Sequence, residues 1–306
     1  MNHRDTKRKG SGENREVGIN RQERQETPGE SKRSSNHGPA IRFAGVSFGY
    51  TEQRLFNEFS LDIAQGEFLG VIGPNGAGKS TLLNLAAGLL RPQSGSVSVL
   101  GMDLAGTSRR EVARKVAVVP QESFFAFDYP VEDVVMMGRN PYLGRLQTPG
   151  RADYDRVNEA LEFVDAAVLR HKSINRISAG EKQRVVLARA LAQEPTILLL
   201  DEATSHLDLA HQRSILGILE RLNRQGKTIV LLAHDLNLAA LACSHVLLLS
   251  GGCQVACDVP DRVITKELVK SAYGVEPIVV RHPETGRPQI MMPGGPNAQV
   301  SITNDQ

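Results

Sequence analysis

The sequence predicts an α/β protein in which a parallel sheet core follows a small antiparallel β subdomain and is interrupted by an α-helical insertion. Three observations carry this. Apolar runs of the fully buried type, at 68–72, 197–200 and 228–233, alternate with helix-forming stretches. Ahead of them, 41–43, 46–50 and 61–63 are short β-type runs broken by turn residues. Residues from about 122 to 190 hold little strand signal, and Val157, Leu161, Val164 and Val168 recur there at helical spacing.

A chain of 306 residues with 41% hydrophobic content can bury the core of one elaborated domain, or two small ones, without covalent staples. Its three cysteines, Cys243, Cys253 and Cys257, match neither a zinc clip nor a redox pair, which fits a reducing cytoplasm. The longest apolar run, 82–90, contains Asn84 and falls short of the roughly 20 residues that cross a bilayer, so no membrane span is expected. Residues 1–38 carry nine Lys/Arg against six Asp/Glu and almost no large apolar side chains. They read as a disordered, solvated tail, with contact to anionic lipid or nucleic acid as the other reading, and they lack the apolar segment of a signal peptide. The rest is electrically balanced, so no nucleic-acid partner is expected.

Taken in order, the run at 68–72 leads into a glycine-rich turn and a helix-forming stretch, 79–90. Residues 73–81 read Gly73-Pro74-Asn75-Gly76-Ala77-Gly78-Lys79-Ser80-Thr81, the P-loop pattern, placed between a buried strand and a helix as that pattern requires. Triphosphate binding needs inward-pointing backbone N–H groups that side chains would obstruct, hence Gly76 and Gly78. The helix N-terminus adds a favourable dipole. Lys79 supplies charge to the β- and γ-phosphates, the Ser80 hydroxyl suits Mg²⁺, and Thr81 adds a phosphate contact. The pattern alone says only nucleoside triphosphate, because kinases, GTPases and motors share it.

The strand at 197–200 delivers Asp201 and Glu202 at its C-terminal end, where open α/β sheets place ligands. Asp201 can hold Mg²⁺ through water, and Glu202 can orient or deprotonate the attacking water. Leu209, Ile215, Leu219 and Leu222 mark an amphipathic helix ending near Gly226, after which the strand at 228–233 ends in His234, suited to sense the γ-phosphate. Gln121, after the strand-like 116–119 and Pro120, is a polar group at another strand end, within reach of Mg²⁺ and the water. Residues 246–249, Gly251-Gly252 and 253–256 resemble a hairpin, and 260–306 form a mixed appendix.

Residues 177–184, Ile-Ser-Ala-Gly-Glu-Lys-Gln-Arg, open a helix carrying Val185, Leu187, Ala188 and Leu191. Ser178 with Glu181 is a capping box, enough to start any helix. The segment also resembles the ABC signature, and the rest of the chain from about 41 to 258 agrees in order and spacing. The resemblance implies a P-loop NTPase (RecA-like) core over 39–275, with the helical subdomain at about 122–190 and a C-terminal appendix at 276–306. It further implies that Tyr50 stacks on adenine, that Gly73 to Thr81 are Walker A, and that Gln121 is the Q-loop. Ser178 and Gly180 then cap the γ-phosphate held by the opposite subunit of a homodimer, with Asp208 in the D-loop Ser205-His206-Leu207-Asp208. Asp201 and Glu202 match Walker B and the catalytic base, and His234 the switch histidine. Ile177, Ala179 and Ala203 depart from the family's usual Leu, Gly and Pro, and Ala179 puts a methyl close to the facing nucleotide.

Further segments look like the ATPases of iron-siderophore, haem and cobalamin importers: Met137-Gly138-Arg139-Asn140-Pro141-Tyr142, Ser205-His206-Leu207-Asp208-Leu209, His234-Asp235-Leu236-Asn237-Leu238-Ala239, Tyr273-Gly274-Val275 and Arg281-His282-Pro283. That likeness implies an ATP- and Mg²⁺-dependent subunit on the cytoplasmic face of the membrane, serving a transmembrane permease and, indirectly, a substrate-binding protein. The competing readings are a soluble ABC ATPase of a non-transport assembly and an ABC ATPase for another substrate.

Overall fold

The computed structural model describes residues 38–121, 123–203 and 207–293. The charged tail up to residue 37, Ser205 and His206 of the acidic turn, and the end of the appendix from 294 lie outside them.

The first layer is an antiparallel sheet. Strand β1 (Ile41–Phe48) pairs with β2 (Phe56–Ile63), Phe43 opposite Leu61. The two runs expected at 41–43 and 46–50 are one strand whose register slips near Gly45, and Tyr50 lies beyond its end. The first strand of the main sheet, β3 (Phe68–Ile72), is buried at every residue and leads into helix α1 (Lys79–Ala86). That helix stops four residues before the expected end at 90, where Gly88 turns the chain at φ +68°. Strands β4 (Ser94–Val99) and β5 (Met102–Asp103) complete the first sheet in the order β2-β1-β4-β5.

Helix α2 (Arg109–Ala113) precedes β6 (Val116–Val119), after which the insertion is helical as expected. It holds α3 (Val131–Met136), α4 (Arg151–Phe163), short 3₁₀ turns, and α5 (Ala179–Ala192). Val157 and Leu161 are buried, but α4 ends before Val168, which is 87% exposed rather than part of the apolar stripe. The core resumes with β7 (Ile197–Asp201), α6 (Leu209–Arg224), β8 (Thr228–Leu232), α7 (Leu236–Ala242), and the hairpin β9 (His245–Ser250) with β10 (Cys253–Asp258). Leu209, assigned to the buried face of α6, is 83% exposed at its first turn, whereas Ile215, Leu219 and Leu222 are buried. The appendix consists of α8 (Pro260–Val263), α9 (Lys266–Tyr273) and a second hairpin, β11 (Ile278–Arg281) with β12 (Pro288–Met291).

The main sheet has the order β10-β9-β3-β8-β7-β6, parallel except for β10. Alternate residues feed two cores. Leu69, Val71, Ile197, Leu199, Val230 and Leu232 face α1 and the antiparallel sheet, while Phe68, Ile72, Leu198, Leu200, Ile229 and Leu231 face α5 and α6. A strand covered on both sides has no polar face, which explains the unbroken apolar runs. Register sets the site. Val71 sits beside Leu232, and Leu232 beside Asp201, so β3, β8 and β7 end level and their following loops share one edge.

Candidate functional site: a nucleotide cleft at the sheet edge

At that edge lies a cleft of 520 Å³ lined by Tyr50, Asn75 to Thr81, Gln121, Glu202 and His234. Gln53 and Leu55, just before β2, complete its mouth and carry no signal in the sequence. Lys79 opens α1 from a nearly buried position, its Nζ donating to the carbonyl oxygens of Gly73 at 2.7 Å and Pro74 at 3.1 Å. Burial pushes its ammonium pKa down, against the pull of Glu202 and Asp201. These carbonyls are the loop's own neutral acceptors, so a phosphate oxygen is a stronger partner for the same charge. Gly78 caps the helix at φ +102°, and a Cβ there would press on the Phe56 ring, so the loop's path demands glycine.

Ser80 Oγ reaches Asp201 Oδ1 at 3.4 Å. Burial, then the neighbouring Glu202, raises the Asp201 pKa, while the Ser80 bond and Lys79 oppose the shift. Glu202 is nearly buried and its backbone is left-handed, φ +51°, with its N–H donating to Leu232 O. For a non-glycine residue that conformation costs on the order of 1 kcal/mol, the kind of strain found where function fixes geometry. It turns the carboxylate toward His234, whose Nε2 it meets through Oε1. Tyr50 is 67% exposed, its ring edge-on to Phe48 at 5.0 Å and its hydroxyl 3.2 Å from Thr81 Oγ1. One face of the ring is thus free at the cleft mouth, while Thr81 is already engaged.

Ser178, Gly180 and Asp208 are not among the cleft residues. Ser178 caps α5 in a reciprocal box, its N–H donating to Glu181 Oε2 at 2.8 Å while Glu181 N–H donates to its Oγ. The Ser178 backbone N–H, and then its hydroxyl, hold the Glu181 carboxyl below its ordinary pKa. Asp208 caps α6, accepting from His211 N–H and lying 2.8 Å from His211 Nδ1. The His211 ring covers Gly180, where any Cβ would overlap it. The signature turn and the acidic turn are therefore joined by a histidine that the sequence reading missed; its one legible signal is its place three residues after a capping Asp.

Comparison with known proteins agrees with this geometry. The ABC transporter family profile matches residues 56–205. The hemin import ATP-binding protein HmuV of Gloeobacter violaceus is 41% identical over 258 residues, covering 82% of this chain and 93% of that protein. A solved structure described as an inward-facing metal-chelate type ABC transporter shares 28% identity at a TM-score of 0.73, covering 82% of this chain and 96% of that one. A dimeric ATP-binding cassette in a post-hydrolysis state with ADP and Pi shares 27% identity at a TM-score of 0.62, covering 72% and 98%. With a P-loop sheet edge built as described and a relative this similar along nearly its whole length, the chain belongs to the ABC transporter family as one of its ATP-binding, ATP-hydrolysing subunits.

Proposed function

We propose that the chain powers import of haem or a related metal chelate, working as a homodimer against a transmembrane permease at the cytoplasmic face of the membrane. One observation carries the dimer: the lysine loop, Glu202 and His234 meet in one cleft while Ser178 and Gly180 lie elsewhere on the same chain. A second copy supplies the missing cap, as the dimeric relative supports. The hemin-import and metal-chelate relatives support the substrate class, with ferric siderophore and cobalamin as the alternatives within it.

In this reading the lysine loop binds the triphosphate, Tyr50 stacks on the base, Glu202 orients and deprotonates the water, and His234 holds Glu202 in place until phosphate leaves. Ser80 and Asp201, with Gln121, offer hard oxygen donors that suit Mg²⁺, an ion that keeps several waters. Bound there, Mg²⁺ neutralises charge on the β- and γ-phosphate oxygens. Closure of the dimer would move the arm at 122–190 through Gln121. An apolar cleft of 630 Å³ between the core and this arm, with Leu89, Leu104, Val112 and Met137 in its wall, offers the permease a contact. Among the described residues no helix is long and apolar enough to cross a membrane.

The test is purification with the co-encoded permease in vesicles, measuring hydrolysis together with uptake of haem, ferric siderophore and cobalamin. Hydrolysis stimulated by the complex and coupled to haem uptake is expected. Turnover indifferent to any membrane complex would favour the soluble-assembly reading.

A further inference from the structure

The segments His234-Asp235-Leu236-Asn237 and Arg281-His282-Pro283 stand apart in the sequence, and the structure joins them. Asn237 is the second residue of α7, the helix that follows His234. Its side chain grips the outer strand of the C-terminal hairpin: Nδ2 donates to Ile290 O at 3.1 Å, and Oδ1 accepts from Ile290 N–H at 2.6 Å. Ile290 faces Val279 across the hairpin, yet its own N–H and C=O point away from β11 to the carboxamide. One amide group thus completes a strand edge as a neighbouring peptide would. Only a side chain with both a donor and an acceptor can do this, which Asp or Leu cannot.

A two-stranded hairpin is marginal alone, and its open edge needs partners. Arg281 and His282 build the rest of its support. Arg281 pairs with Asp261 of α8 and donates to Gly286 O, and His282 Nδ1 accepts the Glu284 and Thr285 N–H groups of the turn. At this same end α7 is capped by Asp235, whose Oδ1 accepts from the Asn237 and Leu238 N–H groups. The hairpin is therefore linked to His234 through Asn237 and the Asp235 cap, a path of three residues along the chain. The appendix reaches the lysine loop separately: the buried Tyr273 hydroxyl lies against the Gly73 backbone.

We propose that Asn237 is a positioning residue for hydrolysis, by which the C-terminal hairpin sets the placement of His234 against Glu202. This rests on the role assigned to His234 above. A displacement near 1 Å in such a pair costs up to about 10²-fold in rate, while the lysine loop, which lies on β3 and α1, is untouched.

The experiment uses full-length protein, with Asn237→Ala and Ile290→Pro as separate variants. The second removes the N–H that Asn237 accepts, at an edge position where proline is tolerated, and Ile290→Ala beside it controls for the side chain that packs on the core. Asn237→Ala and Ile290→Pro are both expected to lower kcat roughly ten- to hundred-fold with KM for ATP within about two-fold. Both should also shift the His234 ring resonances, identified by their loss in His234→Ala. Unchanged kcat, or a loss of rate with the His234 resonances unmoved, overturns the inference while leaving the functional reading intact. Wild-type turnover by His234→Ala itself would remove the parent reading instead.

Discussion

Ser80 Oγ and Asp201 Oδ1 stand 3.4 Å apart although 121 residues separate them. They meet because β3, β8 and β7 are adjacent and end level, so the helix after one strand begins beside the last residue of another. If this pair gathers Mg²⁺, Ser80→Ala should raise the Mg²⁺ concentration for half-maximal hydrolysis by at least about ten-fold. Metal-free nucleotide binding should change little. A Mg²⁺ titration of turnover checks this, and an unchanged midpoint would take Ser80 out of the metal site.

Glu202 and Lys79 share the cleft but should fail differently. Glu202→Gln keeps shape and loses the base, so kcat should fall by about 10²–10⁴ while ATP affinity persists. Lys79→Ala removes charge-assisted bonds worth about 1.5–3 kcal/mol, weakening ATP binding roughly ten- to hundred-fold. Calorimetric binding beside single-turnover kinetics separates the two losses.

Gly180 has a packing reason to be glycine beside any contact with nucleotide. In Gly180→Ala the new methyl must displace the His211 ring, which then leaves Asp208, at a cost of about 1–3 kcal/mol. Adding His211→Ala should recover most of that loss. Thermal melts of the three variants decide it: no recovery in the double variant would place the strain elsewhere.

How far the sequence carried these conclusions depends on how local the signal was. Strands buried on both faces read as unbroken apolar runs, so Phe68–Ile72 and the strands ending at Asp201 and Leu232 were legible, and so was each cleft residue fixed by position after a strand. Strand Ser94–Val99 was not: it buries only Val97 and Val99, and its Ser and Gly residues read as turn. Val168 and Leu209 keep helical spacing beyond the turns that bury it, because periodicity does not mark where a helix ends. The contacts Gly180–His211 and Asn237–Ile290 are non-local, so no pattern within a window reports them.

Acid stability gives a smaller test. Lys266 and Lys270 both hold the exposed Glu276, drawing its carboxyl from an ordinary 4.5 to about 2. A depressed carboxyl stabilises the fold above its unfolded pKa and loses that contribution as pH falls toward the folded value. Glu276→Gln should therefore be slightly less stable at neutral pH, with the deficit closing between about pH 4.5 and 2 and shrinking in high salt. Melting curves across that range at two salt concentrations test it, and a deficit that persists at pH 2 would assign the effect to packing.

Arg139, from the Gly138-Arg139-Asn140-Pro141-Tyr142 segment, is only 6% exposed and is held through Nε and Nη1. Nε meets Asp153 at 3.0 Å, Nη1 meets both Glu194 and Ala192 O at 2.7 Å, and the guanidinium lies 4.1 Å from the Tyr142 ring centre. Asp153 is spent on the same knot, its other oxygen accepting from Gly150 N–H at the start of α4. The arginine thus pins α4 to the end of α5, the helix that the signature opens. Removing it in Arg139→Ala leaves Asp153 buried without its cation, a loss of about 3 kcal/mol. Lysine cannot reproduce a planar fork stacked on an aromatic ring, so Arg139→Lys should recover only a minor part. ATP affinity in the cleft should hold in both, since no cleft residue touches the knot. Equal melting temperatures for Arg139→Lys and the unaltered protein would show that charge alone, not the fork, joins the two helices.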